Sequence, residues 1–196
     1  MSEDVPTALI LGHSFVKRLQ RDLHRGFDSR ASCDFNLSGT ASVRLHGIGG
    51  QTVQTLHAND LHVVRDLAQD IVILEIGTND LPKFPPEKVG SAIEDLVRLF
   101  QSDFSVRANG VCFVIPRGIF FPHAMSFWCK ATVLNQYVSV VLADLPNVFC
   151  WRHFEFNNPH KDFYLADGVH LNRSGQYLLY RSYRGAVLTA VGLLKN

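Results

Sequence analysis

The segment from Asp70 to Gly77 constrains the fold of this chain more than any other stretch. Ile71, Val72, Ile73, Leu74 and Ile76 make it nearly continuous in apolar residues, and the turn Gly77-Thr78-Asn79-Asp80 closes it. Such a run reads as a parallel strand covered on both faces. A strand of that kind requires a helical layer on each side of its sheet.

The rest of the chain supplies those layers. Thr7 to Gly12 reads as a first strand and Ser14 to about Gly26 as a first helix, with Phe15, Leu19 and Leu23 at four-residue spacing. Ser42 to Ile48 alternates Val43, Leu45 and Gly47 with Ser42, Arg44 and His46, the pattern of a half-exposed edge strand. Gly49-Gly50-Gln51-Thr52 turns into a helix carrying Val53, Leu56, Leu61, Val64 and Leu67, with a break near Asn59. Pro86 and Glu87 suit the start of a long helix to about Arg107. Gly110 to Pro116 is a buried strand, Met125 to Leu145 a helix, Val148 to His153 the last strand, and Asn172 the start of the final helix.

Strand and helix thus alternate five times. This predicts an α/β fold, a three-layer α/β/α sandwich on a five-stranded parallel sheet with right-handed crossovers. An edge-like second strand and a central third strand favour the flavodoxin-like order 2-1-3-4-5. The 196 residues suffice for one such domain spanning residues 1–196, with little room for a second.

Several function classes are disfavoured. The formal charge is +1 with no Lys/Arg block, so nucleic acid is not an expected partner. No segment is long and apolar enough to span a bilayer. The acidic start Met1-Ser2-Glu3-Asp4 and the short apolar run after it do not resemble a secretory signal, and an intracellular, cytoplasmic location is expected. The four cysteines form no CxxC pair and the histidines follow no metal-ligand spacing. Free thiols are expected, with no metal and no organic cofactor. Oligomeric state leaves no trace in the pattern.

Four connections fall on one rim of the expected sheet. They carry Ser14, Gly49-Gly50, Gly77-Thr78-Asn79-Asp80 and Asp167-Gly168-Val169-His170. Ligand crevices form at the carboxyl ends of parallel strands, and helix N-termini there favour negative charge. A Ser hydroxyl in that position suits attack on an acyl carbon once a base takes its proton. His170 is a suitable base, and Asp167 three residues earlier can hold one ring N–H and leave the other nitrogen for Ser14. Backbone N–H groups of Ser14 and Gly50 and the Asn79 amide can converge on an oxyanion. Each residue also has a plainer use. Ser14 suits a helix N-cap, the glycines a flexible turn, Asn79 and Asp80 a turn cap, and Asp167 with His170 a surface pair.

The order and content of these blocks resemble the SGNH/GDSL hydrolase superfamily, from residue 8 to residue 175. The resemblance implies Ser14 as nucleophile, Gly50 and Asn79 with the Ser14 N–H as oxyanion donors, and Asp167 and His170 as acid and base. It implies a serine esterase acting on a short- to medium-chain acyl ester, acetyl or lipid-derived, through an acyl-enzyme. Within it, Gly-His-Ser-Phe-Val-Lys-Arg-Leu is similar to esterase-like domains of animal mobile-element polyproteins. The chain departs from the family at His13, where an Asp usually braces the loops around the nucleophile. This departure motivates a second reading, a binding module for acylated lipid, glycan or protein that kept the fold and lost turnover. The loop after strand 4 offers Arg117, Phe120, Phe121 and Trp128 as substrate contacts.

Overall fold

A computed structural model describes residues 5–119, 121–157 and 162–195. Five parallel strands form one sheet: β1 (Thr7–Gly12), β2 (Ser42–Gly47), β3 (Ile71–Glu75), β4 (Ala108–Cys112) and β5 (Val148–Trp151). Their spatial order is β2-β1-β3-β4-β5, as the edge pattern of β2 and the apolar run of β3 predict. Between and after them lie α1 (Ser14–His24), α2 (Val53–Asn59), α3 (Leu61–Leu67), α4 (Pro86–Ser102), α5 (Ala124–Val141) and α6 (Arg173–Leu193).

Side chains of a strand alternate between faces, and the two cores divide accordingly. Ala8, Ile10, Ile71 and Ile73 pack with α1 and α6 through Phe15, Leu19, Leu179 and Tyr183. Leu9, Leu11, Val72 and Leu74 pack with α2 to α5 through Leu56, Val64, Ile93, Phe100 and Leu134. Burying each such aliphatic side chain contributes about 1.5–3 kcal/mol against chain entropy.

Two elements differ from the sequence expectation. β4 ends at Cys112, although Val114 and Ile115 continue the apolar run. There the Asn135 amide of α5 takes over the strand's polar groups, accepting from Val114 N–H at 2.8 Å and donating to Val114 O at 3.2 Å. A side chain thus substitutes for a neighbouring strand. α4 stops at Ser102, short of Arg107. Val106 N–H turns back to Phe100 O while Arg107 and Ala108 donate to Asp70 O, which starts β4 two residues earlier than its apolar run suggests. The expected break near Asn59 is a real one, with α2 and α3 meeting at Asp60.

Close packing sets the position of α1. Gly12 pairs with Gly47 across β1 and β2. A Cβ on Gly12 would fall 2.1 Å from Glu75 O, and one on Gly47 would fall 2.1 Å from Lys17 N. Backbone, not side chain, occupies that space, so the first turn of α1 sits directly on the ends of β1 and β2.

Candidate active site

Ser14 is the first residue of α1, and its N-cap is His13. The His13 Nδ1 accepts from Phe15 N–H at 3.4 Å. The capping role that Ser14 could have filled therefore belongs to its neighbour. The Ser14 hydroxyl makes no hydrogen bond among the described residues, His170 included. As a first-turn residue, Ser14 also has a backbone N–H without an intrahelical acceptor.

Ser14 lines a cleft of about 740 Å³ together with Gly49, Gly50, Asn79, Val169 and His170. Four separate connections meet there, each from the carboxyl end of a strand or the loop ahead of α6. Gly50 has φ +74° and nothing within 4 Å of where a Cβ would stand, so its backbone faces open space in a conformation that favours glycine. Asn79 is half-buried and donates one amide hydrogen to Gln51 O at 2.9 Å. That bond orients the amide and leaves a second donor hydrogen.

The Asp167–His170 loop is built to hold an imidazole. One Asp167 oxygen accepts from the N–H groups of Val169 and His170, both at 2.8 Å, and the other meets His170 Nδ1 at 2.6 Å. A carboxylate there makes Nδ1 the donor, so Nε2 carries the free lone pair. Partial burial alone would raise the Asp167 pKa, but these donors outweigh it and hold the carboxyl at about 2. Gly118 donates to Gly168 O at 2.8 Å from behind, and a Cβ on Gly168 (φ +63°) would fall 2.8 Å from Phe121 N. The loop after β4 thus buttresses the His170 loop.

That placement bears on the expected substrate contacts. Arg117, Phe121 and Trp128 are not among the residues lining the Ser14 cleft. Arg117 is buried, its guanidinium carbon 4.7 Å from the Phe127 ring and 5.2 Å from the Phe121 ring. Burial pulls its pKa down, against the pull of Tyr164 and Asp167. Trp128 lines a separate recess with Asn135, Arg152 and Phe156. Phe120 lies outside the described residues.

The structure also reveals a buried network beside His13, the residue ahead of Ser14. Glu75, the one charged residue in β3, is 1% exposed. Its Oε2 accepts from Tyr183 OH at 3.0 Å and pairs with His153 Nε2 at 2.9 Å. Ser182 accepts from Trp151 Nε1 at 2.9 Å, which leaves its hydroxyl hydrogen for His153 Nδ1 at 2.8 Å. His153 Nε2 is then the donor to Glu75. Glu75 Oε1 lies 3.6 Å from His13 Nε2, beyond hydrogen-bond reach but with the ring N–H dipole facing the carboxylate. Burial would raise the Glu75 pKa, yet His153 and His13 outweigh it and hold the carboxyl at about 2. Residue 13 carries no anion here; the buried acid next to it in space is Glu75. A lone acid in an apolar strand was the visible signal, since buried charge demands partners.

Glu75, Cys112 and His153 also have donor atoms within 4.8 Å of one another, the one such group found among the described residues. Their chemistry suits a soft divalent ion. The hydrogen-bond chain already accounts for the carboxylate and imidazole, and burial with the nearby Glu75 charge holds the Cys112 thiol neutral. All four cysteines are free. Next to Asn79, Asp80 accepts from Val53 N–H at 3.1 Å and anchors α2 to the Asn79 turn. Burial lifts its pKa to about 6.

A five-stranded parallel sheet in this order, covered on both faces, is the fold of GDSL-type lipases and small esterases. The chain is similar to a GDSL-like lipase from Bacteroides thetaiotaomicron, at 15% identity and TM-score 0.70 over 94% of this chain and 89% of that one. It is likewise similar to a catalytic mutant of an acetylxylan esterase from Geobacillus stearothermophilus, at 17% identity and TM-score 0.66 over 98% and 97%. An acetyl esterase mutant with an acetate ion matches at 14% identity and TM-score 0.70 over 96% and 99%. No protein-family model matches the sequence, and neither does any curated protein. No helix among the described residues is long and apolar enough to cross a membrane.

Proposed function

We propose that the protein is a serine esterase of the SGNH type. The observation that carries this reading is the shared cleft of Ser14, Gly50, Asn79 and His170, with His170 Nδ1 held by Asp167. Ser14 Oγ attacks the acyl carbon as His170 Nε2 takes its proton. The N–H groups of Ser14 and Gly50 and the Asn79 amide receive the negative oxygen, the Ser14 donor reinforced by the helix N-terminus. His170 then protonates the leaving alcohol. Water, activated by the same imidazole, releases the acid from the acyl-enzyme. Closing the Ser14–His170 hydrogen bond is left to substrate binding, since apo sites often hold such contacts long. Short acyl groups, acetyl among them, fit what the similar esterases are described as cleaving.

The test is hydrolysis of p-nitrophenyl acetate and longer homologues by wild type and Ser14→Ala. Loss of turnover in Ser14→Ala supports the assignment, and equal rates overturn it. The open Ser14–His170 contact and His13 favour a second reading, an acyl-binding module without turnover. A fluorophosphonate probe separates the two, because an activated serine is labelled and a passive one is not. The likeness of residues 12–19 to mobile-element esterase domains we propose only as a statement of origin.

A further inference from the structure

We propose that the substrate is an ester bearing an anionic group, phosphate, sulfate or carboxylate, and that Lys17, Arg18 and Arg21 of α1 bind that group. The inference rests on the esterase reading of the same cleft. α1 begins at Ser14, so residues 17, 18 and 21 follow on its face at one and two turns. All three line the Ser14 cleft, and no acidic side chain does. Lys17 Nζ comes within 4.0 Å of the space a Cβ on Gly49 would fill, which places its charge beside the candidate oxyanion turn. The side chains of Lys17 and Arg18 make no hydrogen bond or ion pair among the described residues. Arg21 is already paired, its guanidinium donating to the Asp22 carboxylate at 2.8 and 2.9 Å.

Composition does not produce this cluster, since the whole chain carries a net charge of only +1. Unpaired cations of one sign facing a cleft raise the local concentration of an anionic ligand. The helix rise places Lys17 and Arg21 about 5 and 10 Å along the axis from Ser14. An anion four to eight bonds from the acyl carbon meets them. Arg18 and Arg21 also line an adjoining recess where Phe27, Leu165 and Leu171 alternate with Asp22 and Arg173, so the path beyond the anion is mixed in character. Asp167 faces the cleft region only through His170, which covers its Oδ2. An ester with an uncharged distal portion leaves Lys17 and Arg18 without a partner among the described residues.

The test pairs esters that differ by an added anionic group. Glycerol monobutyrate is compared with 1-butyryl-glycerol 3-phosphate, which sets the anion in the alcohol half. p-Nitrophenyl hexanoate is compared with the mono-p-nitrophenyl ester of adipic acid, which sets it in the acyl half. At low salt the wild type prefers the anionic member of at least one pair about tenfold in kcat/KM, and the ratio falls towards one in about 0.5 M NaCl, where screening is nearly complete. The K17Q/R18Q/R21Q variant loses the preference without salt. Calorimetric binding of both glycerol esters to Ser14→Ala reads the same preference with no turnover. If wild type hydrolyses no ester but Ser14→Ala still binds the phosphate ester more tightly, the anion site stands and the esterase reading falls. Equal affinity and equal kcat/KM within every pair overturn the proposal. Displacement of the phosphate ester by a single-stranded oligonucleotide with steep salt dependence also overturns it, in favour of a polynucleotide groove.

Discussion

Replacing Glu75 by Gln tests the buried network that stands behind the proposed nucleophile. Gln keeps the shape and one acceptor oxygen but removes the charge. Two contacts, from His153 Nε2 at 2.9 Å and Tyr183 OH at 3.0 Å, change from charge-assisted to neutral. Each such change loses about 1 kcal/mol. The new amide N–H₂ turns towards His13 Nε2, 3.6 Å from the present Oε1, and leaves a buried donor facing a donor. That adds about 1 kcal/mol or more, for a total of about 2–4 kcal/mol. In a chain of this length the melting temperature falls by about 4–16 °C.

The pH dependence gives a second handle on the same residue. The carboxyl sits at about 2 in the fold against an ordinary 4.5. Its stabilisation is present above pH 4.5 and lost as pH falls through about 2. The difference corresponds to about 3 kcal/mol, in line with the bond-by-bond sum. Urea unfolding followed by circular dichroism at pH 7 and at pH 3 measures both. Wild type should exceed Glu75→Gln in midpoint at pH 7, with the gap narrowing at pH 3. Tyr183→Phe should cost less in the Gln background than in wild type. Equal midpoints at pH 7, or a gap that widens in acid, would refute the network as the anchor of this region.

Asp80→Asn should stabilise the fold at pH 8 by up to about 3 kcal/mol, because burial lifts the acid to about 6 and its favourable, protonated state is lost above that pH. The advantage should vanish below pH 4, as read from urea midpoints. Gly47→Ala drives a Cβ to 2.1 Å from Lys17 N and should lower stability by about 1–3 kcal/mol or more, with activity lost beyond the unfolded fraction because α1 carries Ser14. Asn79→Ala removes a side-chain donor and should lower kcat for p-nitrophenyl acetate about 10²–10³-fold with KM little changed; an unchanged kcat removes Asn79 from the proposed oxyanion site.

The chain's own order determined the layers, the strand order and the rim on which its polar residues gather. Apolar period, glycine turns and the Asp-x-x-His spacing are local features, and local features survive in a one-dimensional reading. The pairing of Glu75 with residues 78 and 108 positions away does not, because those contacts exist only once β3, the segment after β5 and α6 are packed. The same holds for Asn135, which ends β4 from another element, and for Arg117, which reads as a substrate cation but is buried against the Phe121 and Phe127 rings. Lys17, Arg18 and Arg21 look like an ordinary solvated helix face in the sequence. Only the packing of α1 against β1 and β2 decides that this face borders the cleft, since a Cβ at Gly47 would leave no room for that helix turn.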